Sequence, residues 1–146
     1  MTTDSITSLF VYGTLKTGQC REKCWPATPL DIRKAWLIGE LYDTGPYPAL
    51  LGGQDCVAGE LWTFEPSDMP RVLSVLDRIE EYRPGCEATN LYNRVIETCS
   101  LMTGGCESAY CYRYGQPGHA NQFQRVEPSY EWEGRRFAVW PTGGRW

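Results

Sequence analysis

The sequence predicts an α+β fold in which one helix lies against a mostly antiparallel sheet or barrel. Three observations predict it. Five short runs are rich in aromatic and β-branched residues, one longer segment places apolar residues at spacings of three and four, and Gly, Pro and Asp punctuate the chain between them. At 146 residues, 42% of them hydrophobic with six Trp and nine Tyr, the chain suits a single domain spanning 1–146. Its core is expected over residues 8–115, with 116–146 as a tail.

The first strand is SLFVY, residues 8–12, and Gly13 ends the run. A loop follows, interrupted by Gly18, Pro26 and Pro29, in which Lys16 to Gln19 read simply as the way out of the strand. Further strands are expected at AWLIGELYD (35–43), VAGELWTFE (57–65), YNRVIETCSL (92–101) and SAYCYRY (108–114). In the last of these Tyr110, Tyr112 and Tyr114 alternate with Ala109, Cys111 and Arg113, the period of a two-faced strand. The tyrosines are expected to pack, with at most one facing a pocket. SDMPRVLSVLDRIEEYRPG reads as the helix: Ser67 or Asp68 caps it, Pro70 fits the first turn, and Pro84-Gly85 stops it. Val72, Val75, Leu76, Ile79 and Tyr82 form its apolar face. The tail segment EWEGRRFAVWPTGGRW either adds a sixth strand or wraps the body.

A net charge of −4 and pI near 5.0, with no stripe of Lys and Arg, argue against nucleic acid as a partner. The first eleven residues lack a leader's basic flank and long apolar run, and no stretch approaches the ~18 apolar residues of a membrane span, so a cytoplasmic protein without a membrane partner is expected. The seven cysteines are odd in number and irregularly spaced, which reads as reduced thiols. Cys20 and Cys24 resemble half a zinc site, but the second half is missing and His119 is the only histidine, so no metal is expected.

The helix carries Asp77, Glu80 and Glu81. At about 100° per residue, Glu80 lies roughly 90° from the centre of the apolar face, whereas Asp77 and Glu81 lie roughly 150 to 170° away. Only Glu80 borders the core. A carboxylate there is either a boundary residue with a wet head or a half-desolvated base whose pKa is raised; Glu81 reads as a solvated helix charge. An acid/base pair of the glycosidase kind, Asp77 with Glu80, lacks an identifiable aromatic cleft. Nucleophilic catalysis lacks a Ser or Cys motif directed at His119.

Three stretches taken in order, FVYGTLKTGQ, LDRIE and LYNR, resemble the γ-glutamylcyclotransferase-like family. They are similar to its Tyr-Gly-Ser/Thr-Leu loop, its Leu-Asp-x-x-Glu helix and its Leu-Tyr-x-Arg strand start. YPAL at 47–50 and VAGELW at 57–62 also look like family segments, and the likeness spans about residues 9–114, nearest to the small γ-glutamylaminecyclotransferase-like branch with its bacterial members. The resemblance implies a small, mostly antiparallel β-barrel flanked by short α-helices. It also implies an enzyme without cofactor or metal that cyclises a γ-glutamyl group, releasing 5-oxoproline and an amine. Carried over, it makes Glu80 the catalytic acid/base and Tyr12, Gly13, Thr14 and Leu15 the substrate loop. Tyr92 lines the pocket, and Arg94 either holds a carboxylate or braces the loop.

Partial burial, with Asp77 and Glu81 as like-charged neighbours, would raise Glu80 toward the pKa of an α-amine. Gly13 would let the backbone turn sharply and approach the ligand, so that successive N–H groups form a nest. Many family members have Gly after the catalytic glutamate; this chain has Glu81. The implied partner is a small γ-glutamyl substrate and the implied assembly a monomer or homodimer. Two other functions stay open: a binding module of the same fold without turnover, and removal of a γ-glutamyl protecting group from a biosynthetic intermediate.

Overall fold

Both faces of the first apolar run are buried, which is why it reads as continuous rather than alternating. In the computed structural model, which describes residues 6–141 and 146, it forms β1 (Ser8–Val11). Phe10, with Tyr12 just beyond the strand, packs into the barrel interior, while Leu9 and Val11 pack outside it among the residues beneath the helix. β2 (Asp31–Asp43), β3 (Pro48–Thr63), β4 (Tyr92–Leu101) and β5 (Cys106–Tyr114) complete a five-stranded closed barrel in the order β3-β1-β5-β4-β2, with β2 pairing back onto β3. Every seam is antiparallel except β1 against β5, where Leu9 stands opposite Tyr110.

The long hairpin of β2 and β3 exceeds the sequence expectation. β2 begins at Asp31 rather than Ala35, and β3 joins PAL (48–50) to VAGELWT (57–63) in one strand. The register jumps between Gly39 (opposite Asp55) and Glu40 (opposite Leu51), so the Gly-rich stretch 52–54 that looks like a break is a bulge inside one strand.

α1 (Met69–Ile79) buries Val72 and Leu76 of the expected apolar face, together with Met69, which that face does not include; Val75, Ile79 and Tyr82 are half-buried. Neither proposed cap accepts a backbone N–H on its side-chain oxygen. Asp68 stands at the N-cap in helical conformation after a 3-10 turn (Pro66–Asp68) that tightens the approach. The helix also stops earlier than Pro84-Gly85 suggests. Glu80 is the C-cap, Glu81 takes a left-handed conformation at φ 57, Tyr82 N–H reaches back to Asp77 O (2.8 Å) and Glu81 N–H to Arg78 O (3.3 Å). This is a Schellman ending with Glu where Gly is usual. The remaining short helices that flank the barrel among the described residues are 3-10 turns, at Glu22–Cys24 and Pro117–Gln122.

The tail both adds strands and wraps the body. β6 (Gln124–Arg125) pairs with β2, and β7 (Tyr130–Trp132) with β8 (Arg135–Phe137) around a turn with Glu133 and Gly134 at positive φ. Ala138 then bridges β3 through Ala138 N–H to Cys56 O (2.8 Å) and Ala58 N–H to Ala138 O (3.0 Å). Val126, Ala138 and Trp140 enter the barrel interior, so the core extends past residue 115. Residues 142–145 of the tail segment, and residues 1–5 of the stretch read for a leader, lie outside the described residues. Among the described residues no helix is long and apolar enough to cross a membrane.

Candidate active site

Four chain segments reach the same end of the barrel: the exit of β1, the end of α1, the start of β4 and the turn between β2 and β3. Between them lies a cavity of about 120 Å³, lined by the loop from Tyr12 to Leu15, by Arg21, Tyr47 and Pro48, by Glu80 and Glu81, and by Leu91, Tyr92 and Tyr112. The structure thus brings Tyr12, Gly13, Thr14, Leu15, Glu80 and Tyr92 together. It does not bring Arg94.

The loop is held through its carbonyls. Gly13 O accepts from Lys16 N–H (3.1 Å), Thr14 O from Arg21 N–H (2.8 Å), and Leu15 O from the indole of Trp25 (3.0 Å), which stacks on Trp62 with ring centroids 4.5 Å apart. Among the described residues nothing accepts a hydrogen bond from the N–H groups of Gly13, Thr14 or Leu15. These residues are buried and line the cavity, and an amide without a protein partner in such a place is a donor in reserve for an anion.

Gly13 serves differently from the sequence expectation. Its φ is not positive; the turning glycine of this stretch is Gly18, at φ 83. A Cβ at Gly13 would stand 2.5 Å from Cγ and 2.8 Å from Cδ of Pro48. What the position needs is room for the proline, which forms the opposite wall.

Glu80 enters the cavity because the helix ends there. Burial pushes its carboxyl up to about 7, and the Arg21 guanidinium pulls back against that shift. The expected contributions of Asp77 and Glu81 are absent from its causes. Asp77 is engaged elsewhere, taking Arg94 Nη1 on both oxygens (2.8 and 2.6 Å) and the Tyr112 hydroxyl (2.6 Å), and Glu81 is an exposed turn residue rather than a helical one. Among the described residues no group hydrogen-bonds the Glu80 carboxylate, which leaves it free for a substrate proton.

The two phenols of the wall are struts. Tyr12 donates to Tyr112 O (2.5 Å) and Tyr92 to Pro48 O (2.6 Å), and burial holds both hydroxyls well above the usual tyrosine range, so they stay protonated. Tyr92 packs edge-on against Tyr47 and Tyr114. Of the β5 tyrosines only Tyr112 lines the cavity. Arg94 ties α1 to β4 through Asp77, its guanidinium 5.3 Å from the Tyr82 ring centre and 5.4 Å from that of Tyr110.

Sequence reasoning gave no role to Arg21 or Tyr47, and read Lys16 simply as part of the way out of the strand. Lys16 is 3% exposed, its ammonium donating to Trp140 O (2.6 Å), and burial lowers it to about 8 against the opposing pull of Glu60. YPAL held a signal for Tyr47 and Pro48. Arg21 lies in an aperiodic loop where no local pattern distinguishes it.

The model of the family described as gamma-glutamyl cyclotransferase, AIG2-like, matches residues 9–134. A gamma-L-glutamyl-butirosin B gamma-glutamyl cyclotransferase from Niallia circulans is 36% identical over 110 residues, which cover 75% of this chain and 67% of that protein. Among solved structures, an AIG2-like protein from Mus musculus is 25% identical over 74% of this chain and 76% of its own, with a TM-score of 0.55. YkqA from Bacillus subtilis shares the fold at 16% identity and a TM-score of 0.57, over 84% of this chain and 38% of its own.

Proposed function

Because the chain belongs to the gamma-glutamyl cyclotransferase, AIG2-like family and is an enzyme of that type, we propose that it cleaves a γ-glutamyl amide by attack of the substrate's own α-amine, with Glu80 as general acid/base. The substrate lies on Tyr12, Gly13, Thr14, Leu15 and Tyr92, and Arg94 braces the helix that carries Glu80. One observation carries this reading. A carboxyl poised near neutrality, about 7, shares a cavity with three backbone amides that lack acceptors among the described residues.

The chemistry needs little more. The nucleophile and the electrophile belong to one molecule, so folding the γ-glutamyl chain back on itself converts the attack into a five-membered ring closure. Ionised Glu80 removes a proton from the α-ammonium, whose unperturbed pKa near 8 is close enough to about 7 for efficient transfer. The freed amine adds to the γ-carbonyl carbon. The oxyanion formed is taken by the amides of Gly13, Thr14 and Leu15, which are fixed in advance by their carbonyls. Collapse breaks the amide bond: Glu80 returns its first proton to the departing nitrogen, then takes the second proton from the ring nitrogen, leaving the neutral lactam, and passes it to the freed amine, which departs as ammonium. The products are 5-oxoproline and a free amine, and the steps as written consume no cofactor.

A mass-spectrometric screen for 5-oxoproline tests this across glutathione, γ-glutamyl amino acids, γ-glutamyl-ε-lysine and γ-L-glutamyl-butirosin B. The last is included because the Niallia circulans relative is a gamma-glutamyl cyclotransferase of gamma-L-glutamyl-butirosin B, which favours removal of a γ-glutamyl group from a larger product. Wild type should release 5-oxoproline from at least one substrate, and Glu80→Gln should lower the rate by roughly 10²–10⁴-fold while remaining folded. Undiminished activity in the variant would sink the assignment of Glu80. Binding without release across the panel would make the protein a binding module.

A further inference from the structure

Arg21 has a guanidinium without an assigned task. It lines the cavity, it is partly buried, and among the described residues it makes no ion pair, hydrogen bond or ring contact through its side chain. The other arginines with part-buried heads are engaged: Arg33 with Glu107, Arg94 with Asp77, Arg113 with Glu97 and Arg125 with Asp55. The backbone of Arg21 is fastened to the substrate loop through its N–H on Thr14 O at 2.8 Å. Its charge is felt inside the site, since it opposes the upward shifts of both Glu80 and Tyr92.

The charge balance of the cavity says what such a cation is for. Among the described residues its ionisable carboxyls are Glu80 and Glu81, and Arg21 is the only cationic side chain in the lining. Every γ-glutamyl compound with a free α-amine of the ordinary kind carries an α-carboxylate on the same carbon. When the amine sits on Glu80, that carboxylate is brought close to a carboxylate base in a confined space, an unfavourable pairing unless a cation answers it. The ring-closing nitrogen has two carbon neighbours, one bearing the α-carboxylate and one becoming the oxyanion. The loop amides can serve only one of them well at the moment of reaction.

Resting on the cyclotransferase reading, we propose that the side chain of Arg21 binds the α-carboxylate of the γ-glutamyl group, leaving the amides of Gly13, Thr14 and Leu15 to the oxyanion. Arg21 is then the residue that selects a γ-glutamyl group over a plain acyl amide. It also orients the α-amine, because a carboxylate held on one side of Cα fixes where the nitrogen on the same carbon points.

The test pairs variants with two versions of one substrate, a γ-glutamyl amide with a free α-carboxylate and its α-carboxamide. On the carboxylate substrate Arg21→Gln should raise KM about 10–100-fold. On the carboxamide, compared at a pH above the acid limb of both proteins, wild type and variant should agree within about twofold. Arg21→Lys should recover part of the loss, since it restores charge without the planar fork. The acid limb of the pH profile should move upward in Arg21→Gln, because the cation that holds Glu80 down is gone. Equal losses on both substrates, or an unchanged preference for the carboxylate, would overturn the proposal and leave the cyclotransferase reading standing. Failure of wild type to release 5-oxoproline strikes that reading instead. In that case calorimetric binding of 5-oxoproline against 5-oxoprolinamide, wild type against Arg21→Gln, decides Arg21 alone: no loss of carboxylate preference in the variant counts against it.

Discussion

At pH 8 the carboxylate of Glu80 is ionised in a place that resists charge, and the fold bears the difference. Its pKa stands near 7 in the native protein against 4.5 when unfolded, so between those values the native state holds the proton more tightly and stability falls as pH rises through the window. The interval is worth on the order of 3 kcal/mol before any solvent screening is allowed for. Glu80→Gln, already expected to be inactive, should therefore melt several degrees above wild type at pH 8 and close to it near pH 4.5, measured by calorimetry at both pH values. A gap independent of pH would show that the carboxyl is not held in a resisting environment. Gly13→Ala acts on the opposite wall: its Cβ must push Pro48 away, at a cost of about 1–3 kcal/mol by denaturant titration, with turnover falling further than stability. The helical period singled out Glu80 as the carboxylate that borders the core but left open whether its head was wet or desolvated, because angle fixes the face and not the depth of the pocket; the family resemblance made the choice. Arg21 was not legible, since a loop residue is brought to its site by tertiary closure and leaves no period in the chain.

At the scale of elements, the end of α1 decides where Glu80 points. The left-handed residue that turns the chain is Glu81, and a side chain in that conformation costs roughly 1 kcal/mol relative to glycine. Glu81→Gly should raise stability by about 0.5–1 kcal/mol and leave kcat within about twofold, a result read by paired denaturation and turnover curves. The helix itself is moored by Arg94 to Asp77. Arg94→Met should cost about 1–3 kcal/mol, because it leaves Asp77 half-buried with only the Tyr112 hydroxyl. At a temperature where the variant stays folded, the discrimination between carboxylate and carboxamide substrates should be unchanged, which separates a mooring residue from a binding one. The apolar face of α1 was readable because burial imposes a period. Its terminus was not, because the usual glycine signal is missing and a backbone motif replaced it. For the same reason the Gly-rich stretch inside β3 read as a break: a bulge and a turn share composition and differ only in what pairs across them.

The whole molecule depends on the segment from Phe137 to Trp140 as much as on β1. Phe137, Ala138 and Trp140 are buried, and the Trp140 carbonyl accepts from the ammonium of Lys16 in the segment after β1. A chain ended after Gly134 would open the barrel interior at Ala138 and Trp140 and leave Lys16 buried without its acceptor. It should lose cooperative thermal unfolding by circular dichroism, whereas a dispensable tail would leave the transition in place. The sequence signalled the barrel through its strand runs, and could not place the tail, whose short strands carry little period and find their partners far away in the chain. The parallel seam between β1 and β5 has a bearing on time rather than on strength. A ribosome delivers β1 first and its β5 neighbour about a hundred residues later, so the nascent protein must keep an apolar strand unpartnered along one edge until most of the chain has emerged.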